Sequence, residues 1–334
     1  MLYKILILLS LFLFSCCIYT SKVTIVGAGN VGSEVASMLA MKDIVCEIVL
    51  LDIKEGLAEA KAMDIMHSAQ FYDYNTNVRG VTNDYSQTAN SDIIVLTLGM
   101  PRKCGMTREE LLGINAGIVK NAIENSLKYS PQAIFLIVTH PMDIMTYLTY
   151  KLSGIPKNKI IGIGGILDTS RFKYYLSQEI GCTHSEIHGM VIGGHGDKTM
   201  IPLTRFATYK GIPISKILSK EQIDKVVGLT CESGTCLTNM MGTSAWVASG
   251  ASISYLIDSI INDRKRLISC SVYLEGEYGL NDIAIGVPVI IGKNGVEKIV
   301  EFELDEKEKE MLNNSAKIIK KREETLKSLG YFES

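Results

Sequence analysis

Short runs of aliphatic and β-branched residues alternate with longer stretches of helical periodicity along the first half of the chain. Lys22-Val23-Thr24-Ile25-Val26 predicts a strand, and Ser33-Glu34-Val35-Ala36-Ser37-Met38-Leu39 predicts the helix behind it. Residues 46–51 predict a second strand and residues 55–68 a second helix. Residues 91–97 read as a buried parallel strand, apolar without polar alternation until their end. A helix over 114–129, a strand over 133–138 and a strand over 159–164 continue the series. This repetition predicts an α/β fold with a doubly wound parallel sheet, which takes its ligands at the carboxyl ends of the strands.

The second half is less regular. Helical patterns cover 168–180, 220–230 and 244–262, and an antiparallel pair is predicted from 271–274 and 287–292 across the turn-rich 275–282. Trp246, with Met240, Met241 and Val247, is expected in the core on a helix. The charged residues 305–328 predict a C-terminal helix with a solvated face. The chain therefore divides into a Rossmann-type domain over 22–164 and an α+β substrate-binding, catalytic domain over 165–334, behind an apolar extension over 1–21.

Composition adds limits. A chain of 334 residues, 47% hydrophobic and 21% charged, buries a sizeable core. A net charge of −2 offers nothing to nucleic acid or to an anionic membrane surface. Eight cysteines lack metal-ligand spacing, so reduced thiols and no metal are expected. The first 21 residues have the shape of a signal peptide, with Leu13-Phe14-Ser15-Cys16 loosely like a lipoprotein cleavage site. Their apolar run is shorter than the ~20 residues that span a bilayer. Because the first strand starts at Lys22 without a linker, a start assigned too early is favoured over export.

Two motifs carry chemistry. Gly27-Ala28-Gly29-Asn30-Val31-Gly32 is a G-x-G-x-x-G turn between strand and helix, suited to a pyrophosphate at the helix N-terminus. Asp52 closes the second strand, twenty residues beyond Gly32, where an acid accepts hydrogen bonds from a ribose diol and repels a 2′-phosphate. NAD is thus favoured over NADP. The second motif is Gly193-Gly194-His195-Gly196-Asp197, a histidine on a glycine-flanked turn at a strand end, read with Leu167-Asp168-Thr169-Ser170-Arg171. A carboxylate that orients an imidazole makes a proton donor and acceptor near neutral pH. An arginine nearby grips a carboxylate in two-pronged fashion. Between these motifs, Gly99-Met100-Pro101-Arg102-Lys103-Cys104-Gly105-Met106-Thr107-Arg108 reads as a mobile flap that brings two arginines to the site.

From Lys22 to about Leu329 the chain resembles the lactate/malate dehydrogenase family, and within it the lactate-dehydrogenase-like malate dehydrogenases. Both motifs, the flap, Leu111 to Ala116 and residues 271–279 fall in the family's order. The resemblance implies reversible oxidation of (S)-malate to oxaloacetate with NAD. His195 would accept the proton, Asp168 would orient it, and Arg171 would bind the C1 carboxylate. Arg108 would polarise the carbonyl, and Arg102 stands where the family selects a dicarboxylate. Gly99, Asn115 and the strand-end residues Val138 to His140 would lie near the nicotinamide, and a homodimer or homotetramer is implied. One departure stands out: the family's usual Val-Ser/Thr-Asn-Pro is Val138-Thr139-His140-Pro141 here. The bulkier imidazole leaves open a catalytically impaired NAD-binding homologue, and lactate or another 2-hydroxy acid stays open as substrate.

Overall fold

The structure, a computed structural model, describes residues 21–100 and 106–332. The apolar extension, and residues 101–105 of the flap with Arg102 among them, lie outside the described residues. Six parallel strands form the first half: β1 (Lys22–Val26), β2 (Glu47–Asp52), β3 (Asn77–Thr82), β4 (Ile93–Leu96), β5 (Ile134–Ile137) and β6 (Ile160–Gly162). Their order in the sheet is β3-β2-β1-β4-β5-β6, doubly wound from a switch point between β1 and β4. Ile25, Ile48, Leu50, Ile93, Ile94, Leu96 and Phe135 are fully buried, as continuous apolar runs in a covered parallel sheet require. In register, Val26 lies opposite Leu51 and Leu96, and Leu96 opposite Ile137. The residues after these ends therefore emerge in one row.

The helices of this half are α1 (Asn30–Lys42), α2 (Leu57–His67), the short α3 (Ala69–Tyr72), α4 (Arg108–Tyr129) and α5 (Met142–Ser153). Helix α4 starts six residues before the predicted Ile114, which corrects the extent of the flap. Thr107 caps it: its hydroxyl accepts from the Glu110 N–H, and the Glu110 carboxylate accepts from the Thr107 N–H. This capping box satisfies two backbone donors at the helix start and places Arg108 on the first turn rather than in the loop.

In the second half, α6 (Gly164–Ile180) leads to β7 (Ile187–His188), β8 (Val191–Gly193), β9 (Met200–Pro202), β10 (Thr208–Tyr209) and β11 (Ile212–Pro213). Then come α7 (Lys220–Met241), α8 (Val247–Ile261), β12 (Arg266–Glu275), β13 (Asn281–Gly292), β14 (Gly295–Ile299) and α9 (Glu306–Ser328). The predicted antiparallel pair is present as β12 and β13; β12 is longer at both ends, and β13 starts six residues earlier and ends where predicted. Ser271 of β12 pairs with Gly162 of β6, so one sheet runs through both halves and continues from β13 to β8 and β9. A small separate sheet joins β11, β10 and β7.

Two expectations fail here. Helix α7 runs eleven residues beyond the predicted Thr230 and stops at the left-handed Gly242. Trp246 caps α8 and is half-buried, while Met240, Met241 and Val247 are exposed to 71%, 43% and 56%. Their apolar character does not place them in the core, because they belong to the junction between two helices. Helix α9 keeps its solvated face but also buries Glu308 and Glu323.

Candidate active site

The glycine turn sits where β1 hands over to α1. Gly27 has φ +108°, and a Cβ on Gly32 would stand 1.9 Å from the Gly27 carbonyl oxygen, so the helix packs onto the turn only with glycine there. Gly29, at the N-cap, has open space where its Cβ would be, and the first turn of α1 carries neither an acidic residue nor a side-chain cap. The free N–H groups of Asn30, Val31 and their neighbours thus face a space that takes an anion. Asp52 Oδ2 accepts from the Ala28 N–H at 2.7 Å, which ties the acid at the end of β2 to the same turn. The residues present fit a pyrophosphate with an adjacent ribose.

The structure brings the predicted histidine and carboxylate together. His195 follows β8, Asp168 and Arg171 lie one turn apart on α6, and His195 Nδ1 is 2.7 Å from Asp168 Oδ2. Asp168 is 1% exposed. An ionised carboxylate accepts, so the neutral imidazole carries its proton on Nδ1 and keeps the Nε2 lone pair for a substrate proton. Burial works against the imidazolium, but the charge and hydrogen bond of Asp168, with the charge of Asp143, outweigh it and raise the His195 pKa. Arg171 Nη1 donates to Asp168 Oδ1 at 3.1 Å, and its guanidinium keeps further N–H groups for a carboxylate. Sequence reasoning missed Gly164: a Cβ there would stand 2.5 Å from His195 Cβ. The Gly164-Gly165 pair at the head of α6 was the available signal.

Asn115 and His140 meet at the other wall. The Asn115 side chain is 2% exposed and accepts from the Met100 N–H at 2.8 Å while donating to the His140 carbonyl at 2.8 Å. It clamps the chain leaving β4 to the chain leaving β5. Gly99 and Val138 stand at the same strand ends, with the Val138 N–H donating to Leu96 O. The His140 ring lies 5.1 Å from the His195 ring, centroid to centroid. Desolvation, then the charge of His195, pushes the His140 pKa down to about 4. His140 is nonetheless exposed, so desolvation counts for less than the adjacent charges of His195 and Arg171, which push in the same direction and disfavour a proton on the ring. His67, His184 and His188 are exposed and belong to other elements than this pair.

A doubly wound sheet with an anion-binding glycine turn, joined to a carboxylate-held histidine beside the strand ends, defines a nucleotide-dependent dehydrogenase. The chain belongs to the lactate/malate dehydrogenase family: residues 21–162 match that family's NAD binding domain and residues 166–329 its alpha/beta C-terminal domain. Malate dehydrogenases from Parabacteroides distasonis and Bacteroides thetaiotaomicron are each 58% identical over 310 residues, which is 93% of this chain and 99% of theirs. Among solved structures, the malate dehydrogenase of Salinibacter ruber superposes with a TM-score of 0.88 at 39% identity, over 92% of this chain and 98% of that one. A lactate dehydrogenase of Cryptosporidium parvum, complexed with lactic acid and the NAD cofactor, superposes at 0.89 with 33% identity, over 93% and 99%. The protein is an NAD-dependent dehydrogenase with a parallel-dominated sheet, as its sequence predicts.

Proposed function

We propose that the protein interconverts (S)-malate and oxaloacetate. The observation that carries the reaction is the 2.7 Å contact between His195 and Asp168 at the strand ends of an NAD-binding half. The choice of malate is supported by the relatives' names and by Arg102. NAD, when bound, supplies the hydride acceptor. Gly27 to Gly32 hold its pyrophosphate, Asp52 its adenosine ribose, and Gly99, Asn115, Val138 and His140 border its nicotinamide end. His195 Nε2 takes the hydroxyl proton of malate, and Asp168 stabilises the imidazolium that forms. Arg171 grips the C1 carboxylate, Arg108 stabilises charge on the carbonyl oxygen, and Arg102 pairs with the second carboxylate.

The reaction needs NAD(H), which supports a cytoplasmic location. Among the described residues no helix is long and apolar enough to cross a membrane. Assembly into a homodimer or homotetramer belongs to the same reading and is supported by Met63, Phe71 and Tyr72, exposed to 60%, 82% and 60% on α2 and α3.

The test is NADH oxidation by the purified, reduced protein with oxaloacetate and with pyruvate. Pyruvate's methyl group would leave Arg102 buried and unpaired, a penalty of ~3–5 kcal/mol. Oxaloacetate is therefore preferred in kcat/KM by roughly two to three and a half decades, and Arg102→Gln moves the preference toward pyruvate. Equal use of both acids, an Arg102→Gln ratio unchanged from the parent, or NADH binding without turnover would overturn the proposal.

A further inference from the structure

His195 is held from two sides. Asp168 takes the ring, and Asp143 takes the backbone: the His195 N–H donates to Asp143 Oδ2 at 2.7 Å. Asp143 stands in the first turn of α5, three residues beyond His140, so one helix start carries both the ring beside His195 and the anchor beneath it. The surroundings are unfavourable for a carboxylate. Asp143 is 7% exposed, and neither its Oδ1 nor the Ser271 hydroxyl of β12 meets a hydrogen-bond partner among the described residues. Burial raises the Asp143 pKa; the His195 N–H, the nearby Ser271 hydroxyl, which falls short of a full bond, and the charge of His195 work the other way, so the carboxylate charge is favoured most when His195 is protonated. Glu323, reaching in from α9, is 3% exposed and has an unpartnered Oε1. Asp143 is among the charges that act on it. A buried, half-satisfied carboxylate costs stability that an amide or an apolar side chain would not. What it offers in return is directed at His195.

On the reading of His195 as the acid/base group, we propose that Asp143 is a positioning residue, fixing the backbone of His195 and adding a second negative charge behind its imidazole. Asp168 fixes the ring's tautomer, and Asp143 fixes where the ring stands. The groups that face the pair are Asp168 and Arg171 from α6, His140 before α5, Ser271 from β12 and Glu323 from α9. Of these, Asp168 and Asp143 favour the protonated ring and Arg171 opposes it.

Asp143→Asn keeps an oxygen for the His195 N–H and removes the charge; Asp143→Ala removes both. In the full-length protein with 15N-labelled histidine, the His195 ring signal, assigned by its loss in His195→Gln, is titrated by NMR. Asp143→Asn lowers the apparent His195 pKa by about one unit. Asp143→Ala lowers it too, and in addition drops kcat below that of Asp143→Asn while KM changes less. A titration of Asp143→Asn within about 0.2 unit of the parent, far short of the shift expected of a nearby charge, overturns the proposal. If Asp143→Asn does not fold, Ser271→Ala serves instead: loss of the hydroxyl weakens the Asp143 charge and shifts His195 in the same direction, less far, and no shift there overturns it equally. The titration needs no turnover. A parent protein inactive on oxaloacetate would therefore sink the malate assignment alone.

Discussion

At the residue scale, the departure at position 140 resolves into a question of charge. An asparagine amide and a neutral imidazole can each both donate and accept hydrogen bonds; an imidazolium only donates. With its pKa pushed to about 4, His140 gains its proton only well below the working range of the enzyme. The pH profiles of kcat/KM for the parent and for His140→Asn should therefore coincide between about pH 5 and 9. The magnitudes should differ by less than about tenfold, since the exchange is one neutral hydrogen-bonding group for another. An acidic limb present in the parent and absent from His140→Asn would mean that the ring does ionise in that range. The Asn115 bond to the His140 carbonyl is to the main chain, so it survives the substitution.

At the element scale, helix starts do most of the positioning. The free N-terminus of α1 faces the anion site, the head of α6 brings Asp168 and Gly164 against His195, and the first turn of α5 brings Asp143. Helix α4 is the one whose start depends on a side-chain cap close to the flap. Thr107→Ala removes one half of the box and should cost about 1 kcal/mol, read as a lower denaturant midpoint at unchanged m-value. Because Arg108 occupies the first turn, fraying there should also lower kcat for oxaloacetate. Unchanged midpoint and unchanged rate would show that the box holds nothing of consequence.

At the scale of the whole molecule, the sheet is continuous through β6 and β12, and α9 closes over β13. That closure buries Glu323, whose pKa rises to about 8 through desolvation first and then through the charges of Asp282 and Asp143. The unfolded chain loses this proton near the ordinary glutamate value of 4.5, the folded protein only near 8. Between those values the unfolded state binds fewer protons, so stability falls as pH rises through the window. Glu323→Gln should remove that loss: little change near pH 5, and a gain above pH 8 of up to ~4 kcal/mol. Denaturant unfolding at pH 5 and at about pH 8.5 checks it, and an equal effect at both would refute the assignment.

The sequence by itself determined the parallel half and singled out His195 and Asp168, which the fold brings together. The short, β-branched-rich run Ile93 to Leu96, bounded by polar residues, suits a covered strand, and Gly27 and Gly32 allow the close packing of the turn against the helix. Asp168 and Arg171 share a helix face because they are three residues apart, a purely local fact. Only the tertiary structure decided what lies behind His195. Asp143, Ser271, Gly164 and Glu323 come from four separate elements, and no local spacing relates them. It also decided against local pattern at Trp246, Met240, Met241 and Val247, whose apolarity says they prefer burial but not whether a neighbouring element arrives to cover them. Local chemistry fixes which groups can react. Packing between distant segments fixes the field and the position in which they do so.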